Sequence, residues 1–458
     1  MTELLSPAGT LKNMRYAFAY GADAVYAGQP RYSLRVRNNE FNHLDIMAGA
    51  IAEAHAQNKQ FYIASNISPH NDKIRSYLRD MEEVIEMQPD ALIMSDPGLI
   101  MMVREKWPEI PIHLSVQANA TNYATVKFWH TQGIVRTILS RELGLNEIEE
   151  IRQHCPEMEL EVFVHGSLCI AYSGRCLLSG YMNHRDPNQG ACTNACRWKY
   201  NAQDATETET GDIVQAKAVP TQNAPTKIWE PSQENQSDPL QNDHDEEKPI
   251  MLLEEEGRPG EMMPAFEDEH GTYIMNSKDL RAVQHVERLV NMGIVSLKIE
   301  GRTKSHYYAA RTAQVYRRAI DDAEAGKPFD INMMAELDHL ANRGYTEGFY
   351  RRHVPQETQN YTQSASRNPN QQFVGEISAV EADKGWLTVE VKNRFEHGDT
   401  MELITPNGNM TFNLEALENL KGEKMDAAPG SGHIVRIPIP ADISLPEDGG
   451  YAMLMRYM

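Results

Sequence analysis

The chain is poor in cysteine, in long apolar runs and in recognisable hydrolase motifs. Five cysteines in 458 residues are too few for a disulfide-built scaffold. Its apolar stretches, such as Leu99–Val103, are far shorter than the roughly 20 residues of a membrane span. The first residues, Met-Thr-Glu-Leu-Leu-Ser-Pro, lack the basic start and apolar run of a secretory signal. There is no G-x-S-x-G elbow and no H-E-x-x-H helix, so two common hydrolytic designs are excluded. A cytoplasmic protein with no membrane partner is expected.

The sequence does have charge, unevenly spread. The formal total is −21, which taken alone argues against a nucleic-acid partner. Between Asn201 and His270, however, 18 Asp and Glu stand against 4 Lys and Arg. That segment carries −14, so the rest of the chain carries only −7 and can still present a basic face.

Up to residue 170 the sequence repeats one theme, in which short apolar runs alternate with amphipathic helical patterns. The runs are Leu4–Gly9, Ala24–Gly28, Phe61–Asn66, Ala91–Asp96, Ile112–Gln117, Thr137–Glu142 and Leu160–Gly166, with an eighth at Ser296–Gly301. Near-continuous apolar runs of this length read as parallel strands covered by helices. Eight strand–helix units predict an α/β fold, a (β/α)8 TIM-like barrel. An open doubly wound sheet is the alternative, and Tyr273–Asn276 is a surplus ninth run. The predicted organisation is barrel strands 1–7 over 1–200, with a cysteine loop at 166–200, followed by an acidic low-complexity insertion at 201–263. Residues 264–330 complete the barrel with strand 8, 331–370 form a helical linker, and 371–458 form a small β-barrel domain of six strands. The insertion has too few apolar residues to offset its ordering entropy and is expected to lack regular structure.

Barrel chemistry gathers at the C-terminal ends of the strands. Here those ends carry Asn66, Asp96, Gln117, Asn119, Arg141, Glu142, His165, Lys298, Glu300 and Arg302. Asp96, directly before Pro97, reads instead as a helix N-cap. Glu161, His165, Lys298 and Glu300 are the catalytic candidates. Just beyond the seventh run, Cys169, Cys176, Cys192 and Cys196 are spaced C-x6-C-x15-C-x3-C. Four close thiols in a reducing compartment point to a metal centre, either zinc or an iron–sulfur cluster. Wide, unequal gaps without a C-x2-C knuckle favour the cluster without excluding zinc. Cys155 stands apart and reads as a buried thiol.

A basic, aromatic stretch supports RNA binding independently. Lys304, Arg311 and Arg318 share one helical face, near Tyr307 and Tyr308, and Arg351 and Arg352 follow another aromatic group. Cations neutralise phosphate and rings stack unpaired bases. A solvated helix face is the plainer alternative for the first cluster.

The segments Glu161–Cys169 and Gly174–Ser179 resemble the signature of peptidase family U32, and Glu3–Gly9 and Ser296–Arg302 match its barrel. Phe266–Leu280 is similar to the bacterial tRNA-hydroxylation branch of that family. The resemblance implies formation of 5-hydroxyuridine at the tRNA wobble position, with prephenate as a linked co-substrate or ligand. It also implies a 4Fe-4S cluster on Cys169, Cys176, Cys192 and Cys196. The partners it implies are the tRNA anticodon region, a small anionic metabolite and iron–sulfur delivery proteins. Guanidinium forks suit such a dicarboxylate. The expected substrate-binding set is therefore Arg35, Arg37, Asn66, Arg141, Glu142, Arg175 and Arg302. The alternative function is the peptidase of the family name, for which Ser167 has no base that spacing can assign. A third reading is a non-catalytic RNA-binding assembly module.

Overall fold

A computed structural model describes residues 1–34, 39–168, 171–176, 188, 278–342, 344–351, 371–441, 443 and 445–458. It also describes the backbone of five strands between 200 and 272. All eight apolar runs become parallel strands. The first seven are β1 (Glu3–Pro7), β2 (Ala24–Gly28), β3 (Gln60–Ser65), β4 (Ala91–Met94), β5 (Ile112–Leu114), β6 (Arg136–Ile138) and β7 (Glu159–Ser167). Between them lie α1 (Leu11–Ala19), α2 (Leu44–Ala56), α3 (Asn71–Glu86), α4 (Pro97–Lys106), α5 (Tyr123–Thr131) and α6 (Leu145–His154). Asp96 caps α4 as its position before Pro97 suggests, its carboxylate accepting from the Leu99 amide at 2.9 Å.

Five strands form a separate antiparallel sheet: β8 (Tyr200–Glu207), β9 (Ile213–Gln215), β10 (Ile250–Glu255), β11 (Met262–Asp268) and β12 (Gly271–Thr272). The expectation that 201–263 lacks regular structure is thus corrected for these strands. Ile250–Leu253 and Met262–Phe266 are short apolar runs inside an acidic composition, and β10 pairs with both β8 and β11. Averaging over the whole segment hides runs this short. The surplus run Tyr273–Asn276 lies outside the described residues.

The chain then supplies β13 (Asp279–Arg281), α7 (Val286–Asn291), β14 (Ser296–Ile299), α8 (His306–Glu324), α9 (Asn332–Asp338) and β15 (Tyr345–Thr346). Strand β14 pairs in parallel with both β1 and β7, which closes the barrel. The open-sheet alternative is excluded. The pairing of β7 is divided. Its register with β14 slips between Lys298 and Ile299, and its last residues, His165–Ser167, pair antiparallel with β13. Gly166 makes the crossing possible: its φ is +106°, and a Cβ there would sit 2.2 Å from the Glu300 carbonyl oxygen.

The last domain is antiparallel throughout. Its strands are β16 (Gln371–Glu381), β17 (Trp386–Val391), β18 (Phe395–Glu396), β19 (Thr400–Thr405), β20 (Gly408–Asn413), β21 (Glu418–Asn419), β22 (Ala427–Ala428), β23 (Ile434–Pro438) and β24 (Met453–Tyr457). Seven of them form one sheet in the order β20-β19-β24-β16-β17-β23-β21, beside a β18-β22 ribbon. The strand count exceeds the six expected because Gly408–Asn413 and Glu418–Asn419 pair without an apolar run of their own. Val374, Leu387, Val389, Leu403, Val435 and Leu454 form this domain's own core. Among the described residues no helix is long and apolar enough to cross a membrane.

Helix α8 is buried along twelve of its 19 residues, because it packs on the barrel with one side and meets the β domain with another. The contact is as much polar as apolar. Tyr20 Oη donates to the carbonyls of Ile404 and Tyr451 at 3.0 Å each, and the Tyr307 ring stacks on Phe373 with centroids 5.5 Å apart. Glu376, on β16, receives Lys12 from α1, has His306 Nε2 3.1 Å away and Lys392 Nζ at 3.4 Å. Burial acts to raise its carboxyl pKa, yet the hydrogen bonds from His306 and Lys12 outweigh that and hold it well below the usual range. A group depressed in this way stabilises the fold above its unfolded pKa of about 4.3 and loses that contribution as pH falls below it. Glu376→Gln should therefore lower stability by about 1–2 kcal/mol at pH 7. It should also flatten the loss of stability below pH 4, as read by thermal unfolding at both pH values.

Candidate functional site

The barrel interior is charged along its length. At the N-terminal end Arg136 Nη1 donates to Glu3 Oε1 at 2.7 Å and its Nε to Glu159 Oε2 at 2.8 Å. Tyr62 Oη and Ser296 Oγ also donate to Glu3, at 2.6 and 2.7 Å. One level up, Glu161 lies 3.4 Å from the same Arg136 and accepts from Lys298 Nζ at 2.7 Å. Glu161 is fully buried and Lys298 nearly so. Burial lowers the lysine pKa, and Glu161 opposes that pull. The ammonium sits 4.2 Å from the Tyr26 ring centroid, a cation–π contact in a site screened from water. Beside this column His113 stacks edge-on to Tyr62 with centroids 4.7 Å apart. Its Nδ1 has no hydrogen-bond partner, and burial, with Arg136 and Lys298 nearby, keeps it neutral.

The column ends at the mouth. Tyr26 Oη donates to Glu300 Oε2 at 3.2 Å, and Arg141 Nη2 lies 3.6 Å from the same oxygen. The Arg141 guanidinium covers Phe163 at 3.9 Å and donates to the Ser167 carbonyl at 3.0 Å. Arg302 lies 5.7 Å from the Tyr26 ring and donates to the Leu34 carbonyl at 2.6 Å. It passes so close to the end of β2 that a Cβ on Gly28 would stand 2.5 Å from its Nη1. The strands therefore bring Glu161, Lys298, Glu300, Arg141 and Arg302 together.

The other expected residues are divided. Asn66 ties the loop after β2 to the ends of β4 and β5: it accepts from the Leu34 amide at 3.2 Å, its carbonyl accepts from Ser95 Oγ, and it donates to Ser115 Oγ. Glu142 is bonded by Ser140. His165 is not part of the mouth. The register slip in β7 turns it onto α8, where Nδ1 lies 3.3 Å from Tyr316 Oη and burial pushes its pKa down to about 3. Arg35 and Arg37 lie outside the described residues, and Arg175 is exposed.

Of the four clustered cysteines, Cys176 is described and Cys169, Cys192 and Cys196 lie outside the described residues. The loop carrying Cys176 is held over the barrel. Asn119 Nδ2 donates to the Ser173 carbonyl at 2.7 Å, and Gly174 has φ +72° with Gln117 too close to admit a Cβ. Asn188 donates to the Cys176 carbonyl at 3.1 Å, while its own carbonyl accepts from the Ser68 amide at 2.9 Å. The thiol position is thus partly exposed, fixed by backbone contacts, and on the same end of the barrel as Glu300. Cys155 is a buried thiol, as expected. Among the described residues no group of three or more His, Cys, Asp or Glu is arranged to hold a metal ion.

The expected RNA-binding residues are corrected in one respect. Arg311 is buried, 3.5 Å from Glu402 and 3.8 Å from Glu336, beneath the β domain. Helical spacing places Arg311 with Arg318 but does not say what covers that face. Arg318 pairs with Glu336, Arg351 with Glu347 at 3.0 Å, and Lys304 lies over the Tyr308 ring at 5.4 Å. Arg352 lies outside the described residues. Reading the sequence missed Tyr26, Tyr62, His113, Arg136 and Glu3. Their one signal is a polar or phenolic side chain at alternate, inward positions of an otherwise apolar run.

Fold and site define a TIM-type barrel protein with its polar centre at the C-terminal ends of the strands and a β domain clamped to its last long helix. Residues 9–360 match peptidase family U32, and residues 369–456 match the peptidase family U32 C-terminal domain. The chain belongs to peptidase family U32. It is 62% identical over 458 residues to "tRNA hydroxylation protein P" of Escherichia coli, covering 99% of this chain and 96% of that one. The protein of the same name in Haemophilus influenzae is 60% identical over 454 residues, again covering 99% and 96%. The "23S rRNA 5-hydroxycytidine C2501 synthase" of Escherichia coli is 27% identical over 319 residues, covering 70% of this chain and 39% of that one.

The column predicts a distinctive pattern of stability. Lys298→Met leaves Glu161 buried with one partner fewer and should cost about 3–5 kcal/mol, whereas the Glu161→Leu, Lys298→Met double variant should recover part of that loss. Denaturant midpoints of the two variants measure the difference.

Proposed function

We propose that this chain hydroxylates tRNA, forming 5-hydroxyuridine at the wobble position with prephenate as co-substrate or ligand. The observation that carries the reading is the match along 99% of the chain to two proteins named for tRNA hydroxylation. The name of the rRNA relative, which specifies a 5-hydroxylated pyrimidine, supports the same chemistry. Under this reading the partners are tRNA, a small anionic metabolite and iron–sulfur delivery proteins.

The mouth supports it in kind. Arg141 and Arg302 bring two guanidinium groups to the ends of the strands, and such forks pair carboxylates in a bidentate way. Glu300 repels a carboxylate placed directly on it and, through Tyr26 and Arg141, fixes where the cations point. Lys298 and Glu161, shut in below, keep that arrangement rigid. Cys169, Cys176, Cys192 and Cys196 would hold a 4Fe-4S cluster. The fixed, partly exposed position of Cys176 on the barrel's active end suits a thiolate ligand. Such a cluster supplies one-electron transfer when bound, while the side chains of the mouth bind and orient the anion. A peptidase reading has less support. Ser167 is 5% exposed, and His165, two residues away, faces Tyr316 behind the barrel.

Anaerobically purified protein should be brown with about four irons per chain, and Cys176→Ser should bleach it. Stoichiometric zinc would overturn the cofactor. Arg302→Lys and Arg141→Lys should each weaken prephenate binding by about tenfold or more in calorimetry. In a strain lacking the gene, mass spectrometry of tRNA nucleosides should show 5-hydroxyuridine restored by the unaltered chain and not by Cys176→Ser. Restoration by that variant would overturn the reading.

A further inference from the structure

The loop between β14 and α8 has two sides. Arg302 turns towards Tyr26 and the mouth. Two residues on, Lys304 and Ser305 border a second cleft of about 290 Å³, between the start of α8 and strand β16. Tyr307, Tyr308, Leu340, Phe373 and Met458 supply most of its apolar wall. Tyr307 and Phe373 lie within 6° of parallel, so the wall is a flat aromatic surface. The two sites share one short wall, since Tyr308 Oη donates to the Glu300 carbonyl at 2.7 Å.

Buried polar atoms in this lining lack partners. Gln371 is fully buried, and its amide nitrogen donates to Glu402 Oε2 at 2.7 Å. A carboxylate accepts only from the nitrogen, so the bond fixes the amide orientation and leaves Oε1 as an acceptor with no donor. Tyr307 Oη, in a side chain 8% exposed, and His339 Nδ1 are likewise without partners. Buried polar atoms are ordinarily bonded, and leaving one unpaired costs on the order of 1–3 kcal/mol. Two of these unpaired atoms belong to side chains more than nine-tenths buried, and all three belong to residues lining a cleft with a flat aromatic wall. That combination fits a planar heterocycle edged with hydrogen-bonding groups, with a lysine at the rim for its phosphate.

We propose that this cleft receives a single unpaired nucleobase of the RNA, next to the nucleotide presented to the mouth. The proposal rests on the reading of the substrate as tRNA. The barrel would then take one nucleotide and the barrel–β-domain seam its neighbour, with the Gly301–Ser305 loop between them.

The test uses the full-length holoprotein and an RNA hairpin with a seven-uridine loop, followed by fluorescence anisotropy at fixed salt. Each loop position in turn is made abasic. Unaltered protein should bind the hairpin with salt-dependent affinity and lose about tenfold at one or two positions, the scale of one lost base–aromatic stack. Phe373→Leu should bind the intact hairpin about tenfold more weakly and no longer distinguish those abasic positions, while Phe373→Tyr should keep both properties. Tyr307→Phe, which deletes only the unpaired hydroxyl, should weaken binding about threefold to tenfold without lowering the melting temperature. If hairpin binding is strong but Phe373→Leu keeps the abasic sensitivity of the unaltered chain, the cleft is not the base site and the tRNA reading stands. If the unaltered protein does not bind the hairpin, the tRNA reading fails and the base site with it.

Discussion

The structure depends on a column of alternating charge running up the inside of the barrel. Glu3, Arg136, Glu161, Lys298, Glu300 and Arg141 follow one another from the closed end to the mouth, bridged between Lys298 and Glu300 by Tyr26. A TIM barrel is ordinarily filled by branched apolar side chains in layers. Here ions fill much of that space, and each can remain charged out of water only because the next lies in contact with it. Such a core is selective in a way an apolar one is not. Removing any member exposes its neighbours to an uncompensated burial cost, so the geometry of the mouth inherits the rigidity of everything beneath it.

The β domain is joined to the barrel by the same kind of chemistry. Glu376 and Glu402 point from its sheet into cations on α1 and α8. Arg311, buried by this contact, is at once part of the barrel's last helix and the anchor of the second domain. Because α8 directly follows β14, the helix that carries the seam is fixed by the strand that carries Lys298. Mouth and seam are therefore mechanically one unit, which makes their side-by-side placement a property of the fold.

The apolar runs made the barrel legible, since parallel strands buried on both faces leave a signal that needs no knowledge of partners. The ends of those runs likewise disclosed Lys298, Glu300, Arg141 and Arg302. His165 misled because a β-bulge changes which side of the strand a residue faces, and a bulge leaves no mark in composition. Arg311 misled because helical periodicity groups residues by face but is silent on what lies opposite. Tyr26 and His113 were overlooked as members of apolar runs. Their importance comes from neighbours on other strands, a relation that a linear reading cannot hold.

The divided pairing of β7 sets how the rest of the chain can vary. Ser167 leaves the barrel and Asp279 returns opposite it in the same ladder, so the long excursion between them is a loop whose ends are tied at one rung. Closing such a loop costs only about 0.6 kcal/mol more for each doubling of its length. The barrel is therefore nearly indifferent to what is spliced in at this point. Residues could be gained or lost there over evolutionary time without disturbing the strands on either side, and the doorway through which they enter is the one beside the cysteine loop.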